Sequence, residues 1–568
     1  MLIKIPVLFL SILIPFLCNI SICSQDLKPE VKDKIKKIAR EIVQKMSDEE
    51  KAGQVIHIAL PGKDIDEVSI SEIKKIKPGG VILFGTNLGN TEEIRNFTES
   101  LQEEAKKNKL LPLFISTDQE GGRVIRVKKG VTDFPGAMAI GQTNNEQYGF
   151  DVGFITSYQL NKLGINVLLA PSLDINNNPE NPVINTRSFG SDLDTVVKIA
   201  TAYERGAREG GALPVIKHFP GHGDTNIDSH LGLPIIEKDL EQITNFELVP
   251  FKKSIEDGAR AVMSAHIVYP KIDPKYPATL SKEILTGILR EKLKFDGIIF
   301  TDAMEMDAIS KNYKKEKRGI LALLAGADIV LLTSWGKTTT EYYEMILEGI
   351  KKKEFIVGER DIIEEALIRQ ISLKIEFGLL NFSASNVTIT DADILEFLEL
   401  RTSKIKEKMN FFKKQNIKDY NLKISMDSIR TLQGVISPIS AESALTYQFY
   451  LSRKYFQEEV KLEGLNLISE KRFLKLVKSN IHSKIVVESN NQVDLDKLSK
   501  LMKQSPDSEF IILHTGSPYL SFPNHPKLNV ILSFSPTKTS QTALIRRVFQ
   551  SSPDEKVFPC NLNLKIKK

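Results

Sequence analysis

The sequence predicts an α/β protein, in which a (β/α)₈ barrel of the TIM type is followed by a smaller α/β domain. Between about residues 45 and 380, short apolar runs alternate with helical patterns. Continuous apolar runs are typical of strands buried on both faces of a parallel sheet. The eight runs are Val55–Leu60, Gly80–Phe84, Leu111–Ser116, Asn166–Ala170, Leu213–Lys217, Ala261–Ser264, Gly297–Phe300 and Ala327–Leu332. A doubly wound open sheet is the alternative that the strand count leaves open.

The segments between the runs carry helical patterns, as in Thr91–Lys107 and Thr195–Glu209. After the eighth run, Asp361–Gly378 predicts a helix that ends near its glycine. Residues 383–420 are polar and rich in lysine, which indicates either a linker or a helix packed on the outside.

Strand patterns resume near Leu422 and continue in three runs, Lys484–Glu488, Phe510–His514 and Asn529–Phe534. They predict a second, smaller α/β domain whose role is to pack against the barrel and help close a cleft. We therefore place a barrel domain at residues 25–382, a linker at 383–420 and a C-terminal domain at 421–568.

Length and composition exclude several classes of protein. With 568 residues the chain is too long for one ordinary core. It is 41% hydrophobic and 26% charged, as globular proteins are. The net charge of +5 is small for this length and gives no case for nucleic acid or a membrane surface as partner. Only three cysteines occur, so the body of the protein has no disulfide framework and no thiolate metal site.

The first residues have the pattern of an export signal. A short basic start, Met1–Lys4, precedes an apolar segment, Ile5–Leu17, that is too short to span a bilayer comfortably. Cleavage near Ser24 would leave a polar start, which predicts a signal peptide at residues 1–24 and a periplasmic or cell-envelope location. A lipoprotein anchored through Cys18 or Cys23 is the alternative, and it is the only membrane contact that the sequence suggests.

Polar motifs follow the predicted strands, where a barrel places its catalytic groups. Acids and an arginine come directly after the third run, and a glycine-rich stretch with two histidines follows the fifth. The motifs span residues 118–123, 185–190, 217–225, 264–266 and 301–304. Each alone has a structural explanation: Asp302 could be a helix N-cap and His218 a hydrogen-bonded core residue. Together they predict an active site.

The stretch Lys217-His218-Phe219-Pro220-Gly221-His222-Gly223-Asp224-Thr225, continuing to Asp228-Ser229-His230, resembles the signature of family 3 glycoside hydrolases. More narrowly, it resembles the β-N-acetylglucosaminidase branch. The other motifs of that family recur in order, and the resemblance covers roughly residues 40–380. It implies the same barrel fold that the strand count predicts.

The resemblance also implies roles for seven residues. Asp302 lies where the family has its nucleophile, and Asp228 with His230 matches the acid/base pair of this branch. Asp118, Arg187, Lys217 and His218 match positions that hold sugar hydroxyls. No cofactor is implied.

These roles are chemically consistent with a retaining glycosidase. A carboxylate attacks the anomeric carbon to form a covalent glycosyl-aspartate, and an acid/base group protonates the leaving oxygen. Histidine suits that exchange because its ordinary pKa is ~6.5, and Asp228 would orient the imidazole. We expect an exo-β-N-acetylglucosaminidase that removes terminal N-acetylglucosamine from peptidoglycan-derived or chitin-derived sugars. Gly221, Gly223 and Gly232 indicate a loop that could carry the pair over the substrate.

Other functions remain open at this point. A phosphorylase is an alternative because a histidine acid/base tolerates an anionic phosphate acceptor. A β-glucosidase of the same family is the nearest rival in substrate, and a carbohydrate-binding protein without turnover is the non-enzymatic alternative. A zinc site at His218, His222 and His230 is disfavoured because Pro220 and Gly221 interrupt the helix that would align the first two.

Overall fold

A computed structural model describes residues 27–381, 389–433, 447–462, 466–479 and 483–549. The predicted signal peptide, with Cys18 and Cys23, lies outside the described residues. None of the described helices is both long enough and apolar enough to cross a bilayer.

The eight predicted runs all overlap strands of one barrel, and all pair in parallel. The strands are Ile56–Ala59, Gly80–Ile82, Phe114–Thr117, Val167–Leu168, the split strand Leu213–Pro214 and Ile216–Phe219, Ala261–Ser264, Ile298–Phe300 and Val330–Leu331. The two halves of the fifth strand pair with the fourth and the sixth strands, respectively. A bridge between Phe300 and Ile329 joins the seventh strand to the eighth, which also pairs with the first. The ring is therefore closed, and the open-sheet alternative is wrong.

Helices follow each strand and surround the barrel. In chain order they are Pro29–Val43 and Asp48–Gln54 before the first strand, then Glu67–Ile76, Thr91–Lys107, Ala137–Gln142, Glu146–Asn161, Leu193–Gly210, Leu240–Thr244, Leu248–Glu256, the π-helical Glu283–Lys292, Asp307–Ser310, Lys315–Ala325, Lys337–Lys351 and Ile362–Glu376. Many begin at a polar cap, as in Thr91–Lys107, where Asn90 and Glu93 cap each other's backbone N–H groups.

Alternating strand residues face two separate cores. Ile298 and Phe300 belong to the cluster inside the barrel, whereas Ile299 belongs to the cluster between strands and helices. This alternation is the period of two that a β-strand imposes. The apolar interior fills the barrel and leaves polar chemistry to the strand ends and the loops that follow them.

The stretch predicted as a linker or an outer helix is helical over most of its described part. Ala392–Lys414 is one long helix, capped by Asp391, and Ile417–Ser428 begins soon after it. Phe412 is buried, with its ring centroid 5.8 Å from that of Phe154 on the barrel. The long helix therefore packs on the barrel, as the second alternative predicted.

The described part of the C-terminal domain is a five-stranded sheet with helices. The strand order is Arg430–Gln433, Leu528–Leu532, Glu509–His514, Lys484–Ser489 and Tyr447–Tyr450, with the first antiparallel to its neighbour and the others parallel. The helices are Lys454–Leu462, Glu470–Ser479, Gln492–Met502 and Lys538–Phe549.

The second domain touches the barrel beside the loop after the third strand. Met138 and Ala139 of the barrel share an apolar cluster with the second sheet. The hydroxyl of Ser535 accepts a hydrogen bond of 3.2 Å from the backbone N–H of Gly136, which packs directly against Gly122. The second domain thus supports the loop that begins at Asp118.

Candidate active site

All seven side chains predicted for the site line one pocket of about 670 Å³ at the carboxyl end of the barrel strands. Asp118 directly follows the third strand, Arg187 lies in the loop after the fourth, Lys217 and His218 are in the fifth, Asp228 and His230 lie in the loop after it, and Asp302 follows the seventh. The carboxyl ends of parallel strands meet at one face of a barrel, so residues far apart in the chain converge there. Their individual roles stay predictions.

The base of the pocket is a network of buried charges centred on Glu120. Its carboxylate accepts two hydrogen bonds of 2.8 Å from Arg187 and lies 2.7 Å from Nζ of Lys217. Lys217 also donates to Asp118 at 2.8 Å. Glu120 was not predicted as a site residue, although Asp118 and Glu120 are two residues apart on extended backbone and so share a side.

The network keeps Glu120, Arg187 and Lys217 charged at neutral pH. Burial by itself would raise the pKa of Glu120, but Arg187 and Lys217 hold it well below its ordinary value. The pKa values of both cations lie above their ordinary values because the nearby carboxylates outweigh the opposing effect of burial. The pocket therefore presents fixed charged donors and acceptors, which suit a sugar with many hydroxyl groups.

Asp174 holds His218 in one orientation and was also not predicted. Its Oδ2 lies 2.7 Å from Nδ1 of His218, and its Oδ1 accepts the backbone N–H groups of His218 and His222. Burial opposes ionisation, yet the two histidines lower the pKa of Asp174 to about 2. With Nδ1 committed to Asp174, Nε2 of His218 faces Arg187 at 3.5 Å.

Asp302 is half-buried, and its Oδ1 accepts the backbone N–H of Ala303 at 2.8 Å. Burial alone would raise its pKa, but the fields of His266 and His218 and the Ala303 N–H lower it below the ordinary value. Asp302 is therefore an ionised carboxylate at neutral pH, as a nucleophile must be. The N-cap interpretation is wrong, because the next helix begins at Asp307 with Met306 in the cap position.

Asp228 and His230 form a pair at the mouth of the pocket. Nδ1 of His230 lies 2.8 Å from Oδ1 of Asp228, which also accepts the backbone N–H of His230 at 2.8 Å. The imidazole is 61% exposed, so solvent and a leaving group can reach it. Burial raises the pKa of Asp228, but these hydrogen bonds outweigh it and leave the pKa below the ordinary value. An ionised Asp228 stabilises a protonated imidazole.

His222 ties the loop of this pair to the barrel. Its Nδ1 lies 3.0 Å from the hydroxyl of Thr225, and its Nε2 lies 3.0 Å from the hydroxyl of Ser229. Burial is the main cause that lowers its pKa to about 4, so the ring is neutral at pH 7. Its contacts therefore stabilise the loop.

The three histidines considered for zinc each have partners within the protein. His218 bonds to Asp174, His230 bonds to Asp228, and both nitrogens of His222 contact hydroxyls. Within the described ranges, no group of three or more His, Cys, Asp or Glu side chains is arranged to hold a metal ion.

The chain is similar to known proteins over the barrel domain or over both domains. Residues 47–370 match the family described as the N-terminal domain of glycosyl hydrolase family 3. A protein named beta-hexosaminidase A, from Pseudoalteromonas piscicida, is 41% identical over 277 residues, which is 46% of each chain. A beta-hexosaminidase from Methylobacillus flagellatus is 35% identical over 283 residues, or 49% of this chain and 79% of that protein. The chain thus spans less than half the length of the first relative and most of the second.

A solved structure is similar over both domains. It is described as a glycoside hydrolase family 3 beta-N-acetylglucosaminidase from Paenibacillus sp. str. FPU-7, with 28% sequence identity and a TM-score of 0.77. The alignment covers 92% of this chain and 100% of that one. The arrangement of barrel and second domain is therefore shared with that enzyme.

Proposed function

The chain belongs to glycoside hydrolase family 3, and on that premise we propose that it is an exported, retaining exo-β-N-acetylglucosaminidase. The observation that carries the proposal is the shared pocket: the ionised Asp302 and the Asp228–His230 pair line the same cavity. A carboxylate and a proton donor on one sugar site are what the double-displacement reaction needs.

In the first step Asp302 attacks the anomeric carbon while His230 protonates the leaving oxygen. The bond from the anomeric carbon to the leaving oxygen breaks as the glycosyl–aspartate bond forms. The proton comes from Nε2, since Nδ1 of His230 is bonded to Asp228. The charged Asp228 offsets the positive charge that the imidazole carries before it gives up its proton.

In the second step the neutral His230 removes a proton from water, which attacks the anomeric carbon and releases Asp302. Two inversions leave the product with the β configuration of the substrate. The polar base of the pocket, with Asp118, Lys217 and His218, would hold the sugar hydroxyls throughout both steps.

Phosphorolysis is the second candidate, favoured by the arginines that line the pocket. Arg123 and Arg126 line the pocket together with Arg187 and Lys217. A phosphate acceptor would meet these cations and a histidine in the acid/base role, which repels an anion less than a carboxylate in that role would. In that case phosphate attacks the glycosyl-aspartate and the product is a sugar 1-phosphate.

The substrates that we propose are peptidoglycan-derived or chitin-derived sugars with a terminal β-linked N-acetylglucosamine. Support for this class is the name beta-hexosaminidase carried by the relatives and the Asp-x-His pair of this chain. Export to the periplasm or cell envelope rests on the sequence of the first 25 residues, with Cys18 or Cys23 as the alternative lipid anchor. Mass determination of the mature N-terminus from the cell envelope would identify cleavage near Ser24 or a lipidated cysteine.

One assay tests the proposed activity. The purified protein is incubated with an aryl N-acetyl-β-glucosaminide and an aryl β-glucoside, each with and without phosphate. We expect faster release from the N-acetylglucosaminide and free N-acetylglucosamine as the product under both conditions. Preference for the glucoside would favour a β-glucosidase, and sugar 1-phosphate as the dominant product would favour a phosphorylase. No release from either substrate would contradict the proposal.

A further inference from the structure

The chain contains one tryptophan, Trp335, and its side chain is 45% exposed. It lies two residues after Thr333, which lines the active-site pocket, and four residues after the end of the eighth barrel strand. It therefore lies on the face of the barrel that holds the candidate active site. Its position at this face and its open indole together make it a surface that a bound sugar could contact.

The segment before Trp335 is held by the loop of the candidate nucleophile. The carboxylate of Glu305, three residues after Asp302, accepts the backbone N–H of Thr333 at 3.0 and 3.1 Å. It also accepts the hydroxyl of Ser334. These bonds fix Thr333 and Ser334, the two residues before Trp335, relative to the loop of Asp302.

Further exposed apolar side chains lie on the loop that carries His230. Ile227 is 44% exposed and Leu231 is 74% exposed. This loop meets the segment after Asp302, where the N–H of Ala308 lies 3.4 Å from the carbonyl of Ser229. The same two segments and Thr333 border the pocket. We call the loop that carries His230 and the segment from Thr333 to Trp335 the rim of the pocket. The rim therefore carries apolar side chains near the proposed proton donor, where the leaving group of the proposed reaction departs.

The rim and the base of the pocket differ in chemistry. The base holds the charged Asp118, Glu120, Arg187 and Lys217, which suit the hydroxyls of the sugar that is cleaved. The rim offers the flat apolar face of an indole. A pyranose ring has an apolar C–H face that packs on such a surface while its hydroxyls stay in water.

We infer that Trp335 is the binding platform for a second sugar ring, the one that leaves as the aglycone, and that it favours oligosaccharides over simple glycosides. This inference rests on the proposed function, since it names what occupies the outer part of the same site. It makes Trp335 a specificity-determining residue and gives it no part in bond cleavage.

Intrinsic fluorescence tests the platform directly, because all tryptophan emission comes from residue 335. In an Asp302→Asn background, which binds without turnover, N,N′-diacetylchitobiose should cause a saturable change in emission. Free N-acetylglucosamine, which fills only the inner pocket, should cause little change. A disaccharide that leaves the emission unchanged, or that acts no differently from the monosaccharide, would overturn the inference.

Kinetics in the otherwise wild-type enzyme gives an independent readout. Trp335→Ala should lower kcat/KM for N,N′-diacetylchitobiose about 5- to 10-fold, equivalent to ~1 to 1.4 kcal/mol. The inhibition constant of Trp335→Ala for free N-acetylglucosamine should stay within about twofold of the wild-type value. Trp335→Phe should retain most of the activity on the disaccharide because it keeps an aromatic face. Phe411→Ala is the matched control, because Phe411 is 56% exposed on the long helix away from the pocket. Phe411→Ala should change neither kcat/KM for the disaccharide nor the inhibition constant for N-acetylglucosamine.

The two proposals fail in different ways. If the wild type cleaves an aryl N-acetyl-β-glucosaminide but Trp335→Ala cleaves the disaccharide normally, the platform is wrong and the proposed function stands. If the wild type cleaves no N-acetylglucosaminide, the proposed function fails. A disaccharide-dependent change of Trp335 emission would then still support a sugar platform.

Discussion

His230 and Asp228 are joined by a 2.8 Å contact between the imidazole Nδ1 and the carboxylate Oδ1, in a loop at the mouth of the pocket that Asp302 lines. The same carboxylate oxygen accepts the backbone N–H of His230, so ring and backbone are both held. This leaves Nε2 as the nitrogen for proton transfer. The proposed acid/base group therefore lies on a loop at the mouth of the pocket, and the proposed nucleophile lies two residues after the end of a strand.

Removal of the proposed nucleophile should abolish turnover. We expect Asp302→Ala to lower kcat on an aryl N-acetyl-β-glucosaminide by on the order of 10³-fold or more, because the proposed glycosyl-enzyme forms on this carboxylate. Asp307→Asn, five residues later and paired with Lys311 on the surface, is the control and should retain activity. Comparable rates in wild type and Asp302→Ala would remove Asp302 from the mechanism.

The effect of removing the proposed proton donor on the rate should depend on the leaving group. His230→Ala should slow substrates with poor leaving groups by roughly 10²- to 10⁴-fold, since these need protonation of the departing oxygen. Activated aryl glycosides should lose far less in their first step. The measurement is kcat/KM across aryl glycosides of graded leaving-group pKa, and Asp228→Asn should show the same trend more weakly. Equal losses across the series would argue against an acid role.

The buried network predicts a large cost for neutralising its centre. Glu120→Gln leaves Arg187 and Lys217 buried without their shared anion, which should destabilise the barrel by ~3 kcal/mol. Calorimetry should record a fall in melting temperature of roughly 6 °C. Glu365→Gln removes a partner from a pair with the largely exposed Arg360 and should cost under ~1 kcal/mol. Equal effects of the two substitutions would show that the network is not important for stability.

Buried histidines predict weaker folding in mild acid. Burial lowers the pKa of both His222 and His514 to about 4, below the ordinary value of 6.5. A histidine whose folded pKa is depressed contributes its full stability above 6.5 and loses it as the pH falls toward 4, because only the unfolded chain binds the proton there. His222→Gln should therefore reduce the dependence of the unfolding free energy on pH by up to one proton in this window. The unfolding free energy is measured by denaturation at several pH values between 4.5 and 7.5. A plot of this free energy against pH with the same slope in His222→Gln as in the wild type would contradict this.

The barrel could be predicted from the sequence because its strands are encoded locally. Each apolar run of four to six residues became a strand in register with its neighbours, and polar motifs followed where barrels place their active sites. The family resemblance supplied the roles. Closure of the ring depends on the Phe300–Ile329 bridge and on a fifth strand split between two partners, which no single run reveals.

The residues that were missed act through partners distant in the chain. Glu120 contacts Arg187, 67 positions later, and Asp174 contacts His218, 44 positions later. Glu120 and Asp174 matter to the site because they are buried next to charged side chains, and only the fold brings these groups together. The long helix at Ala392–Lys414 was ambiguous for a related reason, because its polar, lysine-rich surface resembles a linker until Phe412 is seen packed on the barrel.

The most direct test of the account is to trap the glycosyl-enzyme on Asp302. The wild-type protein is incubated with a fluorinated N-acetylglucosaminide that forms the intermediate faster than it is hydrolysed, and the intact mass and proteolytic peptides are then measured. We expect one added sugar mass, located on the peptide that contains Asp302 and absent from the Asp302→Ala variant. A sugar attached to another residue, or turnover of the compound with no adduct and an inverted product, would contradict the mechanism.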